Sequence, residues 1–258
     1  MPNTKTSEVI LAMNSALPKA RAELDNSPWR QRFMSIYSTL RERITMLKLV
    51  PGVRLDIDAL ANEFNVSRTP VRTVLQRLEH EGLAITRHGV GTMVTEIDIE
   101  HVRRTMQLRI HLAELIGTLS PNRPDEGIFD LLEGLRKECS TISESSSPED
   151  PAPESFVSVD IRLHACKCQL IGNEVLRGIY DELYHRTTRL WFSLIPQMDQ
   201  SVEFNMVVED VNQTLSALRR GDVAAVGFIT RNSISTGLFR LDALLQDIDT
   251  DIAKSGSD

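Results

Sequence analysis

The sequence predicts a mainly α-helical protein with an N-terminal winged helix-turn-helix, whose wing is a small β-hairpin, and a C-terminal antiparallel bundle of six or seven helices. Two observations predict this architecture. Between residues 29 and 97, a long and two short helical patterns precede two β-prone runs that flank a glycine-containing turn. Beyond residue 98, the alternation typical of strands vanishes and helical periodicities recur, with Gly or Pro between them.

The helix-turn-helix is indicated by two adjacent short helical patterns. Residues 56–64 place apolar side chains at the spacing of one buried helical face, and Asn65 can end that helix. Ser67 is suited to cap the next helix, and Pro70 is tolerated in a first turn, where amides lack intrahelical acceptors. The buried stripe of this second helix would comprise Val71, Val74, Leu75 and Leu78. Two short helices joined by a tight turn make a helix-turn-helix.

The second of these helices opens with groups suited to reading DNA. In a helix-turn-helix, the second helix enters the major groove by its N-terminal end, where side chains reach base edges and amides face phosphate. The wing would present its turn near Arg87 to the sugar-phosphate backbone. The DNA-binding residues predicted in this way are Ser67, Arg68, Thr69, Arg72, His88 and Gly89.

An ordered set of motifs in this region closely resembles the GntR family of bacterial transcription regulators. The motifs are Val50-Pro51-Gly52-Val53-Arg54-Leu55, Leu60-Ala61, Val66-Ser67-Arg68-Thr69-Pro70-Val71-Arg72 and Glu81-Gly82-Leu83. The resemblance covers about residues 35–95 and implies binding to double-stranded operator DNA. It also implies a homodimer, because one helix-turn-helix reads only a few base pairs and two half-sites are needed for useful specificity.

Length and composition indicate the number of domains, the cellular location and the state of the cysteines. The chain has 258 residues, of which 41% are hydrophobic, enough for the cores of two ordinary domains. No run approaches the roughly 20 apolar residues of a membrane span, and the N-terminus lacks the pattern of a secretion signal, so we expect a cytoplasmic protein with no membrane partner. The odd number of cysteines favours reduced thiols at Cys139, Cys166 and Cys168.

The net charge of −7 is unevenly distributed. Residues 1–98 contain 13 Lys and Arg against 11 Asp and Glu, whereas residues 99–258 contain 16 against 25. The acidity therefore belongs to the second half of the chain. A mildly basic first half can still bind DNA when its cations cluster on one face, since affinity follows the number of phosphates neutralised.

Four segments are predicted along the chain: an N-terminal arm at 1–28, the winged domain at 29–97, a helical effector-binding and dimerisation domain at 98–248, and a flexible tail at 249–258. Residues 143–153, rich in Ser, Pro and acids, are predicted to be a loop inside the helical domain. The predicted helices of that domain span 99–119, 125–143, 154–171, 173–195, 201–220 and 222–247.

A second resemblance concerns the helical domain. Asp160 and His164 are four residues apart and share a helical face. Together with Arg109 and Arg220-Gly221-Asp222, they resemble the FCD effector-binding domain of the FadR branch of the GntR family. The resemblance implies an antiparallel helical bundle around a ligand cavity. In many members it also implies a metal held by the Asp, the His four residues on, and two histidines from the last two helices.

The chain departs from that metal pattern. The two further histidines would fall near Val211 and Ser233, and no histidine follows His185. Two ligands are fewer than the three that divalent sites generally use, so no metal and no cofactor are predicted. The cavity would then bind its ligand directly, with Arg109, Asp160 and His164 as effector-binding residues and a small carboxylate as the effector. An internal ion pair between Arg109 and Asp160 is the alternative.

The predicted function is that of a ligand-responsive bacterial transcription regulator, a repressor that senses a small organic acid, and not an enzyme. One alternative is a metal-dependent sensor or enzyme that uses Asp160, His164 and Cys168, with Asp210 one residue from a lost ligand. Another is a constitutive DNA-binding protein that keeps the fold and has lost the ligand.

Overall fold

The computed structural model describes residues 27–145 and 153–255. In this part of the chain there are nine α-helices, one two-stranded antiparallel sheet and one 3₁₀ turn. The chain divides into two compact units, one built from residues up to Thr95 and the other mainly from Glu96 onward. Among the described residues, no helix is long and apolar enough to span a membrane. Most of the predicted arm and part of the predicted 143–153 loop lie outside the described residues.

The first unit is a winged helix-turn-helix, as the sequence predicts. Its elements are α1 (Pro28–Thr45), α2 (Ile57–Glu63), α3 (Arg68–His80), β1 (Ala84–Arg87) and β2 (Gly91–Val94). The two strands pair antiparallel, with Ala84 opposite Val94 and Arg87 opposite Gly91. The predicted stripe Val71, Val74, Leu75 and Leu78 is buried, against α1 side chains that include Leu40 and Ile44.

Local hydrogen bonds fix the ends of the two short helices. The Asp56 carboxylate accepts from the amides of Asp58 at 2.9 Å and Ala59 at 3.0 Å, so α2 begins with its first amides satisfied. Asn65 has a φ of 51°, a left-handed conformation that Asn tolerates better than most residues, and this turns the chain into α3. Ser67 occupies the N-cap position of α3, although its side chain makes no capping hydrogen bond.

A buried carboxylate ties α1 to the end of α3. Glu81 is 1% exposed, and one of its carboxylate oxygens accepts hydrogen bonds from the Tyr37 hydroxyl and from Nε of Arg77, each at 2.6 Å. A carboxylate can be kept in such a core only when its oxygens are matched by donors. This contact therefore holds the long first helix against the recognition helix.

The second unit is a bundle of six α-helices. They are α4 (Ile99–Ala113), α5 (Glu126–Ser145), α6 (Pro153–Leu170), α7 (Glu174–Leu194), α8 (Gln200–Arg219) and α9 (Val223–Ser255), with a 3₁₀ turn at Ile195–Gln197 between α7 and α8. Helix α4 packs against α7 and α9, and α8 packs against α5, α6 and α9. The last helix continues to Ser255, beyond the predicted boundary at 248.

Helix α4 ends at Ala113, earlier than the predicted residue 119, and a close backbone approach accounts for this. A Cβ added to Gly117 would lie 2.1 Å from the carbonyl oxygen of Val223 and 2.5 Å from Cα of Ala224. The turn after α4 thus packs directly on the first turn of α9. Only glycine fits there, because any side chain would overlap with backbone atoms.

Replacing Gly117 with Ala should therefore destabilise the bundle by about 1 to 3 kcal/mol or more, the usual cost of forcing extra atoms into a packed site. Gly134 provides a matched control within α5, since its added Cβ would meet nothing within 4 Å. Gly134→Ala should stabilise the protein by about 0.5 to 1 kcal/mol, because alanine favours the helix. The measurement is urea unfolding of the full chain followed by far-UV circular dichroism. Equal effects of the two substitutions would contradict the close approach.

Candidate DNA interface and inner cavity

The start of α3 is an exposed basic surface. Ser67, Arg68, Thr69 and Arg72 are all exposed there. Arg68 forms an exposed ion pair with Asp58 of α2, whereas Arg72 has no hydrogen-bond or ion-pair partner among the described residues. Exposed ion pairs contribute little stability, so the pairing of Arg68 leaves it available to phosphate. Arg72 is the more immediate candidate for contact with bases.

The wing is held to the recognition helix by one side chain. Glu79 accepts from the amide of Thr86 at 2.8 Å and from its hydroxyl at 3.0 Å, which fixes β1 against α3. At the tip, His88 and Gly89 are exposed, and Gly89 has a φ of 76°. This left-handed conformation favours glycine and lets the hairpin turn tightly.

The second unit contains a cavity of about 120 Å³ between α4, α6, α7, α8 and α9. Its walls combine apolar side chains, such as Met106 and Trp191, with five charged residues. The charged lining residues are Arg109, Asp160, Glu203, Asp210 and Arg240. Sites that bind small molecules are typically apolar cavities with a small number of polar groups.

Arg109 is the central cation of this cavity. It is 7% exposed, and its Nη1 donates to the Thr187 hydroxyl at 2.5 Å. The guanidinium carbon lies 5.9 Å from the ring centre of Tyr180 and 5.3 Å from that of Tyr184. Its Nε is buried and has no acceptor among the described residues. The predicted alternative, an ion pair of Arg109 with Asp160, is not the arrangement found, since each group has a different partner.

Asp160 lies on the cavity wall beside Tyr184. Burial raises the pKa of the Asp160 carboxyl above its usual range, although the Tyr184 hydroxyl donates to it at 2.7 Å and opposes the shift. Burial also raises the pKa of Tyr184, so this hydroxyl stays protonated and remains a donor. The pair forms a polar edge next to Arg109.

The other two acids of the cavity are already matched by cations. Asp210 accepts from Nζ of Lys167 at 2.6 and 2.8 Å. Glu203 accepts two hydrogen bonds from Arg240, at 2.8 and 2.9 Å, and Arg240 also stacks 5.3 Å from the ring centre of Trp191. Nη1 of Arg240 is buried without an acceptor in the described part of the chain.

His164 lies behind this wall and is not one of the lining residues. Its ring stacks on that of Tyr184 with the centroids 3.6 Å apart, and it is 6% exposed. Burial lowers its pKa to about 3. Its Nε2 is 3.1 Å from Oδ1 of Asp181 and 3.3 Å from Sγ of Cys168, so it belongs to a separate polar cluster between α6 and α7.

The four-ligand metal set implied by the FCD resemblance does not fit these residues. Val211 is fully buried in the apolar core and has no donor atom, and Ser233 contributes only a hydroxyl. Asp160 is engaged by Tyr184, and the Nε2 of His164 faces Asp181 and Cys168. No binding or chemical step is therefore assigned to a metal at this set.

Sequence reasoning did not predict the buried ion pairs of the cavity wall. Glu203 and Arg240 are separated by 37 residues, and Lys167 and Asp210 by 43, so helical spacing could not pair them.

A winged helix-turn-helix with an exposed basic recognition helix defines a DNA-binding protein of the transcription-regulator class. Comparison with known families places the chain more narrowly. The family described as bacterial regulatory proteins of the gntR family matches residues 34–94, and the FCD domain matches residues 104–236. The chain belongs to the gntR family of regulators and carries an FCD domain.

Individual relatives support this assignment. The regulator LutR of Bacillus subtilis is 24% identical over 56% of this chain and 73% of its own length. The Uxu operon transcriptional regulator of Escherichia coli is 24% identical over 75% of this chain and 80% of its own length. Other matches are shorter: those to the Bacillus subtilis regulator YdhC and a Streptomyces ambofaciens regulator span 45% and 31% of the lengths of those proteins.

Solved structures agree on the fold. E. coli McbR/YncC superimposes with a TM-score of 0.66 and 18% identity, covering 84% of this chain and 98% of that one. A GntR regulator from a Rhodococcus species superimposes with a TM-score of 0.58 and 18% identity, covering 83% and 98%. At these identities the likeness concerns the fold alone.

Replacing Arg72 with Ala should weaken specific DNA binding by about 1 to 3 kcal/mol, because the exposed first turns of α3 are expected to contact bases. The measurement is affinity for a duplex selected in vitro from random sequences, at one fixed salt concentration. Arg136→Ala, which removes the same charge from α5 in the helical unit, is the control and should bind normally. Unchanged affinity of Arg72→Ala and Arg68→Ala alike would contradict the assignment.

Proposed function

We propose that this regulator is a ligand-responsive repressor whose C-terminal cavity binds the carboxylate of a small organic acid through Arg109, with Arg240 as a second contact. One observation carries the proposal. Arg109 and Arg240 both line the cavity, and each has one buried nitrogen, Nε of Arg109 and Nη1 of Arg240. Neither nitrogen has a hydrogen-bond acceptor among the described residues.

Buried donors without acceptors are costly. Each unsatisfied group carries a desolvation penalty of about 1 to 3 kcal/mol, and more when the group is charged. A ligand carboxylate would supply the missing acceptors and form charge-assisted hydrogen bonds, which are shorter and stronger than neutral ones. Binding of the acid would therefore stabilise the folded protein.

The charge balance favours an anion over a cation. Asp210 and Glu203 are neutralised by Lys167 and Arg240, and Asp160 accepts from a tyrosine hydroxyl. Burial raises the pKa of the Asp160 carboxyl above its usual range. Arg109 is the cavity arginine that forms no ion pair among the described residues, and its contacts are a neutral hydroxyl and two aromatic rings. A ligand with a carboxylate would provide Arg109 with the missing ion-pair partner.

The size of the cavity restricts the acid. A volume of about 120 Å³ is close to that of engineered cavities of roughly 150 Å³ that take up benzene. A relative in E. coli that is 25% identical over 71% of this chain is described as a putative L-lactate dehydrogenase operon regulatory protein. Lactate is an acid of this size, and we extend only the chemical class to the present chain.

The arrangement also bears on the other two residues predicted to bind the effector. Asp160 would border the bound acid, whereas His164 does not line the cavity and would instead support the ring of Tyr184 from behind. We expect the regulator to act as a cytoplasmic homodimer on paired half-sites of operator DNA, since one recognition helix reads too few bases. A role as a sensor, not as an enzyme, is supported by relatives that are transcription regulators.

The proposal can be tested by screening small carboxylic acids by thermal shift and then measuring operator release by fluorescence anisotropy. For an acid that binds, Arg109→Gln should weaken binding about 10- to 100-fold, the effect of losing one or two charge-assisted hydrogen bonds. Operator binding in the absence of the acid should stay unchanged.

Arg104→Gln is the matched control, because Arg104 lies on the same helix but is exposed and pairs with Glu100 at the surface. It should respond to the acid like the unmodified protein. If the acid releases DNA from Arg109→Gln at the same concentration as from the unmodified protein, the binding site is elsewhere. If no acid stabilises the protein, the constitutive alternative holds.

A further inference from the structure

Two side-chain pairs with the same spacing face one another between α6 and α7. His164 and Cys168 are four residues apart on α6, and Asp181 and His185 are four residues apart on α7. Residues at this spacing share one helical face. Potential ligand atoms of His164, Cys168 and Asp181 all lie within 4.8 Å of one another, and Nε2 of His185 is 3.6 Å from Oδ1 of Asp181.

One nitrogen of His164 has two close neighbours. Nε2 of His164 is 3.1 Å from a carboxylate oxygen of Asp181 and 3.3 Å from the sulfur of Cys168. With a proton, this nitrogen can donate to one of them; without a proton, it can accept from the thiol of Cys168 while its lone pair also faces the carboxylate oxygen of Asp181 at 3.1 Å. A cation placed between the three atoms would be bound by all of them.

We propose that His164, Cys168 and Asp181 form a binding site for a zinc-class divalent cation, with His185 as the fourth ligand. Zinc bonds of about 2.0 to 2.3 Å in a tetrahedral arrangement separate neighbouring ligand atoms by roughly 3.3 to 3.6 Å. Nε2 of His164 is 3.1 Å from Oδ1 of Asp181 and 3.3 Å from Sγ of Cys168, and Nε2 of His185 is 3.6 Å from the same Asp181 oxygen, all close to these values. His164, Cys168 and Asp181 therefore need only small side-chain movements to share a cation, whereas His185 lies close to Asp181 alone and would have to move towards the other two ligands.

The donor set decides which cations fit. A thiolate and imidazoles suit zinc and neighbouring transition metals, whereas magnesium and calcium need several oxygen ligands. A thiolate and a carboxylate together carry two negative charges, which a divalent cation neutralises in this buried position. All of the proposed ligands are buried or half-buried.

This site differs from the metal set implied by the FCD resemblance. The two sets share His164, but the proposed ligands come from α6 and α7 alone and exclude Asp160, whose carboxylate accepts from Tyr184. The proposal also changes the expectation of a metal-free protein, because Asp181 supplies the third ligand that spacing on one helix could not reveal. It does not depend on the acid proposed for the cavity.

Cobalt(II) is the appropriate probe, since it replaces zinc and reports a thiolate ligand by a charge-transfer band in the near ultraviolet. The full chain, stripped with chelator and reduced, should bind about one cobalt per chain and develop this band. Zinc should then displace the cobalt and remove the band. Cys168→Ser should lose the band, and Asp181→Asn should weaken cobalt binding by more than about 100-fold, since even partners outside the ligand shell contribute 10- to 100-fold.

Cys166→Ser is the matched control, because Cys166 is a buried cysteine on the same helix, outside the cluster, and burial raises the pKa of its thiol to about 11. This variant should keep the band. Far-UV circular dichroism identifies any variant that fails to fold, and Cys168→Ala then replaces Cys168→Ser. The proposal is overturned if the unmodified chain gives no thiolate band, if the band survives at Cys168→Ser, or if cobalt binding is lost in Asp160→Asn but kept in Asp181→Asn.

Discussion

The C-terminal bundle is organised by the need to match charges that its helices bury. Moving an ion out of water costs several kcal/mol unless a partner and hydrogen bonds compensate. Lys167 with Asp210 and Arg240 with Glu203 meet this requirement and join α6 to α8 and α8 to α9. Arg109 on α4 meets it only in part, through Thr187 and two aromatic rings of α7. The proposal that the cavity binds an acid rests on this incomplete compensation.

In the winged domain, by contrast, the arginines of the recognition helix are exposed to solvent. Arg72 is exposed and Arg68 is held only by an exposed ion pair, so both can exchange water for phosphate at little cost. The one strongly buried carboxylate of α1–α3 packing, Glu81, is matched by Tyr37 and Arg77 and serves stability. In the function proposed above, exposed arginines would bind DNA and a buried arginine would bind a small acid, so burial would separate two uses of the same side chain.

Much of the fold could be predicted because its signals are local. The helix-turn-helix follows from residues close together in sequence: Asp56 caps α2, Asn65 turns the chain, and Val71 begins the buried stripe of α3. The bundle helices follow from periodicity, but the early end of α4 depends on Gly117 meeting the backbone of Val223, a contact between distant residues.

The sites were less predictable because they depend on contacts between residues that are distant in the sequence. Arg109 and Asp160 do line the cavity, yet family resemblance, not spacing, pointed to them. The role of Arg240 depends on Glu203 and Trp191, which only the folded chain brings together. In the α6–α7 cluster a local signal existed, since Asp181 and His185 repeat the spacing of His164 and Cys168. That the two pairs face one another, however, depends on how the two helices pack and could not be predicted from spacing.

The most direct test of the central claim, that Arg109 makes the cavity an acid-binding site, is a crystal structure of the protein with a stabilising carboxylic acid. We expect density for the carboxylate inside the bundle, with its oxygens about 2.7 to 2.9 Å from guanidinium nitrogens of Arg109, the distance of charge-assisted hydrogen bonds. An acid found only at the protein surface, or a cationic group of the ligand seated on Asp160 with Arg109 left without contact, would contradict it.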